Sequence, residues 1–221
     1  MFDISKLALK IPNFLTYEEC DELINEFEKR KNETYTEQSI NQSSNKLEKS
    51  NYKIVSLNPY TKNFNLVKEK SKEIIEKYIK YLSIPNYFYT KGLKNILNYS
   101  HNYRIMKYKT GDYIHPHIDF SSHTYASVTF NLNKDYEGGE FKFFNGKYNV
   151  NLDKGDALIF PCDHFWVHEV TSITKGNRYS INSFIKSIPS QSINLIEYLT
   201  DLIHDDIIKT KPQEELLGPY N

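Results

Sequence analysis

Cysteine is scarce: Cys20 and Cys162 are the only two in 221 residues. Two thiols cannot build a disulfide framework or a four-thiolate zinc site, so both are read as small, reduced core or near-core residues. Net charge is missing as well, because 28 Lys and Arg balance 28 Asp and Glu. No overall field then draws the chain to nucleic acid or to an anionic membrane, and neither is expected as a partner. No apolar run approaches the ~20 residues of a membrane span. The opening MFDISKLALKIPNFL lacks a basic stretch followed by a long apolar one, so no secretion signal is recognised. A cytoplasmic location is expected.

What is present is enough chain for one domain with a buried core. Ile11 to Leu15 reads as a short strand, and Thr16-Tyr17-Glu18-Glu19 as a capping box that opens a helix. Cys20, Leu23, Ile24 and Phe27 then share one apolar face. From Asn32 to Asn51 the chain turns polar, with too little apolar surface to order itself by burial. Two readings stand there: a solvated surface loop, or a mobile lid over substrate. A second helix fits Phe64 to Leu82, closed by Pro85.

From residue 102 the period becomes that of strands, with segments at 103–109, 113–119, 125–133, 139–144, 147–152, 156–161, 165–171 and 178–186. Gly- and Asn-rich turns separate them, and Asn145-Gly146 is a strong hairpin signal. Helices first and about eight short strands after predict an α+β fold. Its strands suggest a jelly roll, with helices packed on one sheet face. A last helix is expected at about 193–203.

Tyr113-Ile114-His115-Pro116-His117-Ile118-Asp119 carries the first chemical signal. On a strand, residues i and i+2 share a face, so His117 and Asp119 project together. With a second histidine they supply a 2-His-1-carboxylate set that leaves positions open on iron(II). His115 shares that face and is the rival; a His115/His117 pair with one more ligand would suit zinc. His168 lies among apolar neighbours downstream, whereas His164 sits at a turn beside Asp163. Ten residues beyond His168 comes Arg178, opening a buried strand. A cation there needs an anionic partner, and a planar fork suits a carboxylate.

HxD, a distal His and a basic residue about ten positions later resemble the 2-oxoglutarate-dependent iron oxygenases. The likeness is closest to the prolyl 4-hydroxylase branch. It runs through Ile11–Ile24, Tyr108, Gly111-Asp112, Asn131-Leu132-Asn133, Glu137–Phe141 and Lys154–Phe160, and covers about 11–186. The resemblance implies a double-stranded β-helix with helices on the major sheet, forming a single oxygenase domain; residues 187–221 lie beyond the resemblance and are expected as a C-terminal helical extension. It implies Fe(II) on His117, Asp119 and His168, with 2-oxoglutarate and O2 as co-substrates and ascorbate as a further candidate cofactor. Arg178 would take the far carboxylate of 2-oxoglutarate, with Tyr108 donating to it. Ser127, Thr129 and Asn131 would point into the same cavity. The implied reaction is hydroxylation of a peptidyl proline. Alternatives are a free amino acid or small molecule as acceptor, and a non-catalytic metal-binding jelly roll. Arg178 departs from the Lys usual in collagen-modifying members, and Asn131 stands where oxygen-sensing members carry an aromatic residue.

Overall fold

A computed structural model describes residues 3–84, 90–119, 123–189 and 192. Met1–Ser187 form one compact unit. The second, Ile188–Asn221, is described only at 188, 189 and 192, so the helix expected at 193–203 lies outside the described residues.

Strand β1 (Leu9–Ile11) leads to helix α1 (Tyr17–Lys29), then strands β2 (Gln38–Asn41), β3 (Lys46–Lys49) and β4 (Lys53–Ser56). Helices α2 (Lys62–Ser83) and α3 (Thr90–Ile96) follow. The rest of the unit is β5 (Tyr99–Lys109), β6 (Ile114–His117), β7 (Thr124–Asn131), β8 (Tyr136–Gly138), β9 (Phe141–Phe143), β10 (Tyr148–Val150), β11 (Ala157–Pro161), β12 (His168–Val170) and β13 (Ile173–Lys186).

The capping box at α1 forms in full: the Glu19 amide donates to Thr16 Oγ1 at 3.1 Å, and the Thr16 amide to Glu19 Oε2 at 2.8 Å. Cys20, Leu23 and Phe27 are the buried face of α1, and Val67, Ile74, Ile75, Tyr78 and Leu82 belong to that of α2. Both stripes meet Ile105, Val128, Phe130, Ile159 and Ile181 of the larger sheet in one apolar cluster.

That sheet runs β1-β11-β7-β13-β5-β4, with β8 added to β13; the smaller runs β10-β9-β12-β6. Together they make the jelly roll. The inner faces pack through Phe141, Phe143, Leu158, Phe160 and Trp166. Asn145 and Gly146 take the positive φ angles, 55° and 80°, of the turn between β9 and β10. Among the described residues no helix is long and apolar enough to cross a membrane.

The polar stretch 32–51 departs from expectation. Much of it is ordered as the β2–β3 hairpin, paired from Gln38↔Lys49 to Asn41↔Lys46. Part of the order comes from outside the segment. The Gln42 amide donates to Pro116 O at 2.8 Å, and Ser39 Oγ lies 2.9 Å from His115 Nε2. Strand β6 thus adds outside partners to the hairpin's own bonds from Asn41 and Ser44 to Glu48. Smaller differences follow tertiary pairing. The first strand is Leu9–Ile11, where it meets β11; β12 is only His168–Val170; and α3 was not foreseen.

Candidate metal centre

β12 lies antiparallel to β6 with His168 opposite His117. Asp119 follows two residues after the end of β6, and its carboxylate sits between the two rings. His117 Nε2 is 3.4 Å from Asp119 Oδ1, and His168 Nε2 is 3.4 Å from Asp119 Oδ2. The three ligand atoms lie within 4.8 Å of one another, and among the described residues this is the group of His, Cys and carboxylate side chains close enough to share a cation. Two ligands held at roughly 2.0–2.2 Å from a cation and at right angles are about 3 Å apart, so the spacing fits one ion.

The tautomers fit as well. His117 Nδ1 is 2.9 Å from His115 O, and His168 Nδ1 is 2.9 Å from Trp166 O. A carbonyl accepts only, so each Nδ1 carries a proton and each Nε2 is left to face Asp119. Phe141 stacks on the His168 ring at 5.4 Å, and Phe160 meets it edge-on at 4.9 Å. Burial alone would raise the Asp119 carboxyl, but His168 and His117 outweigh it and hold it well below the usual carboxylate range. Asp119 is therefore an anion ready for a cation. Ser127 Oγ donates to Asp119 Oδ2 at 2.7 Å, which orients the carboxylate.

The rival histidine faces elsewhere. His115 turns to the hairpin, with Ser39 at Nε2 and Glu48 Oε2 3.7 Å from Nδ1. His164 is exposed, in the turn after β11.

The triad lines a recess shared with Tyr108, Thr129 and Arg178. Arg178 is 2% exposed. Its guanidinium lies 5.2 Å from the centre of the Tyr108 ring, and Nη1 donates to Ser180 Oγ at 3.1 Å. Nε has no hydrogen-bond partner among the described residues, and no carboxylate there pairs with the fork. Gly139 makes room for this side chain. At φ +65°, a Cβ there would stand 2.5 Å from Ile173 Cδ1 and 3.1 Å from Arg178 Cδ. Tyr108 is fully buried, and burial pushes its phenol pKa up, so it remains a donor.

The three β7 positions divide. Thr129 lines the recess, whereas Ser127 serves Asp119. Asn131 is turned away: its amide donates to Asn133 O at 2.7 Å and Leu152 O at 3.2 Å, and Tyr136 donates to its Oδ1 at 3.2 Å. The loop carbonyls of Asn133, Leu152 and Asp153 take a donor from Asn131, which draws its amide away from the recess. Among the lining residues that were not foreseen are Ser180 and Asn182 on β13, and Met106 and Arg104 on β5. Counting by twos from Arg178 and Tyr108 would have found them. Glu37, from the base of the hairpin, had no such signal.

Residues 103–186 match the 2OG-Fe(II) oxygenase superfamily. A PKHD-type hydroxylase of Idiomarina loihiensis is 33% identical over 106 residues, covering 44% of this chain and 47% of that protein. The chain thus matches about half the length of that relative. Among solved structures, the viral collagen prolyl hydroxylase of Paramecium bursaria Chlorella virus-1, a 2OG complex, superposes with TM-score 0.62 at 19% identity, over 82% of this chain and 97% of that one. A Trichoplax adhaerens prolyl hydroxylase in complex with a hypoxia inducible factor peptide fragment gives 0.60 at 15%, over 83% and 84%. The superfamily name carries Fe(II) and 2-oxoglutarate with it, and donors suited to both are in place. Residues 103–186 are thus similar to the 2OG-Fe(II) oxygenase superfamily, and the chain shares the fold of the solved prolyl hydroxylases.

Proposed function

We propose that this chain, as a single catalytic domain, is an Fe(II)- and 2-oxoglutarate-dependent dioxygenase that hydroxylates peptidyl proline to 4-hydroxyproline and releases succinate and CO2. The observation that carries the proposal is Arg178, a buried guanidinium that has no carboxylate partner among the described residues and lies in the recess that also holds the triad. A cation buried that way is unfavourable unless an anion joins it. The far carboxylate of 2-oxoglutarate is such an anion.

His117 and His168 would hold the metal through Nε2, and Asp119 through its carboxylate. Bound there, iron supplies the dioxygen chemistry that no side chain can perform. The chain's own part is positional. Carbonyls of His115 and Trp166 fix the rings, Ser127 fixes Asp119, and Arg178 with Tyr108 orients the co-substrate. Phe141, Phe160 and Val170 line the recess with apolar surface and limit water. None of these steps requires a side chain to act as general acid or base. Ascorbate enters the proposal as the reductant that keeps the metal ferrous.

The collagen and peptide named for the solved relatives support a peptide acceptor. A free amino acid is the second reading, favoured by a second buried guanidinium, Arg104, in the same recess.

The test is succinate formation by anaerobically prepared protein given Fe(II), 2-oxoglutarate and air, beside an Asp119→Ala control. Turnover in the wild type that the substitution abolishes is expected. Absence of both turnover and metal-dependent 2-oxoglutarate binding would return the site to a metal-binding module without catalysis.

A further inference from the structure

Two strands carry matched rows of side chains into the recess. Arg178 lies opposite Tyr108, Ser180 opposite Met106, and Asn182 opposite Arg104. The row therefore begins and ends on an arginine, four residues apart, or about 13 Å at ~3.3 Å per residue. Arg104 thus stands at the other end of the row from the co-substrate anchor, and on the neighbouring strand.

Arg104 is 7% exposed. Nη2 donates to Asn182 Oδ1 at 2.7 Å, the guanidinium lies 5.4 Å from the centre of the Phe184 ring, and Nε has no partner among the described residues. Its one carboxylate partner is Glu37, bonded through Nη1. Glu37 belongs to neither strand. It comes from the base of the β2–β3 hairpin, where its backbone pairs with Ser50, and its side chain is 30% exposed. Tyr52 donates to its other oxygen at 2.5 Å. A buried fork is thus filled by a carboxylate that reaches in from a separate, solvent-facing element.

Resting on the oxygenase reading, we infer that Arg104, with Asn182, is the anchor for a carboxylate of the substrate, and that Glu37 holds the position until substrate displaces it. The chemistry selected is one carboxylate near the carbon to be hydroxylated. Its source is either the acidic side chain of a peptide or the α-carboxylate of a free amino acid. Arg104 is then a specificity-determining residue, distinct from the co-substrate anchor. Displacement of Glu37 also frees the hairpin base, so recognition and hairpin position are coupled.

The test uses probes that differ only in a carboxylate: acetyl-Glu-Pro-Gly-amide against acetyl-Gln-Pro-Gly-amide, and free L-proline against L-prolinamide. Each is titrated calorimetrically into full-length protein loaded with Mn(II) and 2-oxoglutarate, which binds without turnover. Wild type should prefer the carboxylate member of one pair by roughly tenfold, the scale of a charge-assisted bond. The responding pair identifies the source. Glu37→Gln should widen the preference by removing the competitor, and Arg104→Gln, checked for folding by circular dichroism, should erase it. No carboxylate preference in wild type or in Glu37→Gln, or a preference that survives Arg104→Gln, would overturn the assignment and leave Arg104–Glu37 as a hairpin fastener. Loss of metal-dependent 2-oxoglutarate binding would instead strike the oxygenase reading. Repeating the titrations without Mn(II) and 2-oxoglutarate then reads the Arg104 site by itself.

Discussion

Replacing Arg178 by methionine should make the empty protein more stable and deprive it of 2-oxoglutarate, two effects of opposite sign from one substitution. A buried guanidinium loses several kcal/mol of hydration. In return this one has a single bond to Ser180, worth about 1.5–3 kcal/mol for a charged donor, and a Tyr108 face worth up to about 2 kcal/mol. Nε remains unpaired, a deficit of about 1–3 kcal/mol. Methionine fills similar length without charge, so removing the deficit should raise stability by about 1–3 kcal/mol. For a chain of this size that is roughly 2–12 °C in Tm. Binding moves the other way, because truncating one partner of a buried charged pair costs about 2–5 kcal/mol, or some thirty- to several-thousand-fold in Kd. Thermal unfolding with Mn(II), with and without 2-oxoglutarate, reads both. At a hundred times the wild-type Kd the wild type should gain about 2.7 kcal/mol from ligand, and the variant at most about 0.9 kcal/mol at that concentration. A variant that melts lower than wild type, or that 2-oxoglutarate protects as strongly as it protects wild type, would refute the account of Arg178 as an anchor awaiting its anion.

Two further substitutions test the supports. Ser127→Ala removes the 2.7 Å bond to Asp119 and should weaken Mn(II) binding about 10- to 100-fold by titration while leaving the circular dichroism spectrum unchanged. Asp156 tests the link between the N-terminus and the sheet. Its buried carboxylate accepts from the Asn13 amide at 3.1 Å, the Asp153 amide at 2.9 Å and Lys10 Nζ at 2.8 Å. Burial pushes its pKa up, but Lys10 and the two amides prevail and hold it below 3.8. The stability it contributes is therefore full above its unfolded value of about 3.9 and is lost as pH falls through the lower folded value. Asp156→Asn should cost about 2–4 kcal/mol in urea unfolding near neutral pH. The gap to wild type should close under acid, and a gap that is constant with pH would contradict this.

Much of this site was legible because its geometry is local. Period two places His117 beside Asp119, and the buried context of His168 and Arg178 is written in their neighbours. The α1 cap and the Asn145-Gly146 turn are likewise decided within four residues. Where partners came from elsewhere, reading the chain failed. Nothing in 38–49 shows that Pro116 and His115 will order it, and nothing marks Glu37 as the residue that reaches Arg104. Asn131 shares its strand face with Ser127 and Thr129, yet bonds to three loop carbonyls decide where its amide points.

The central place of β13 bears on how the chain is made. It lies between β7 and β5, and it is the last strand of the sheet in sequence. Until residue 186 has left the ribosome, those neighbours present open edges to each other, and α1 and α2 have half a sheet to pack on. Pairings between such distant segments form slowly, and open edges in the interval invite mispairing. His117, Asp119 and His168 all emerge before Arg178. During synthesis the three side chains of the candidate metal centre therefore emerge before the strand that closes the cavity has arrived.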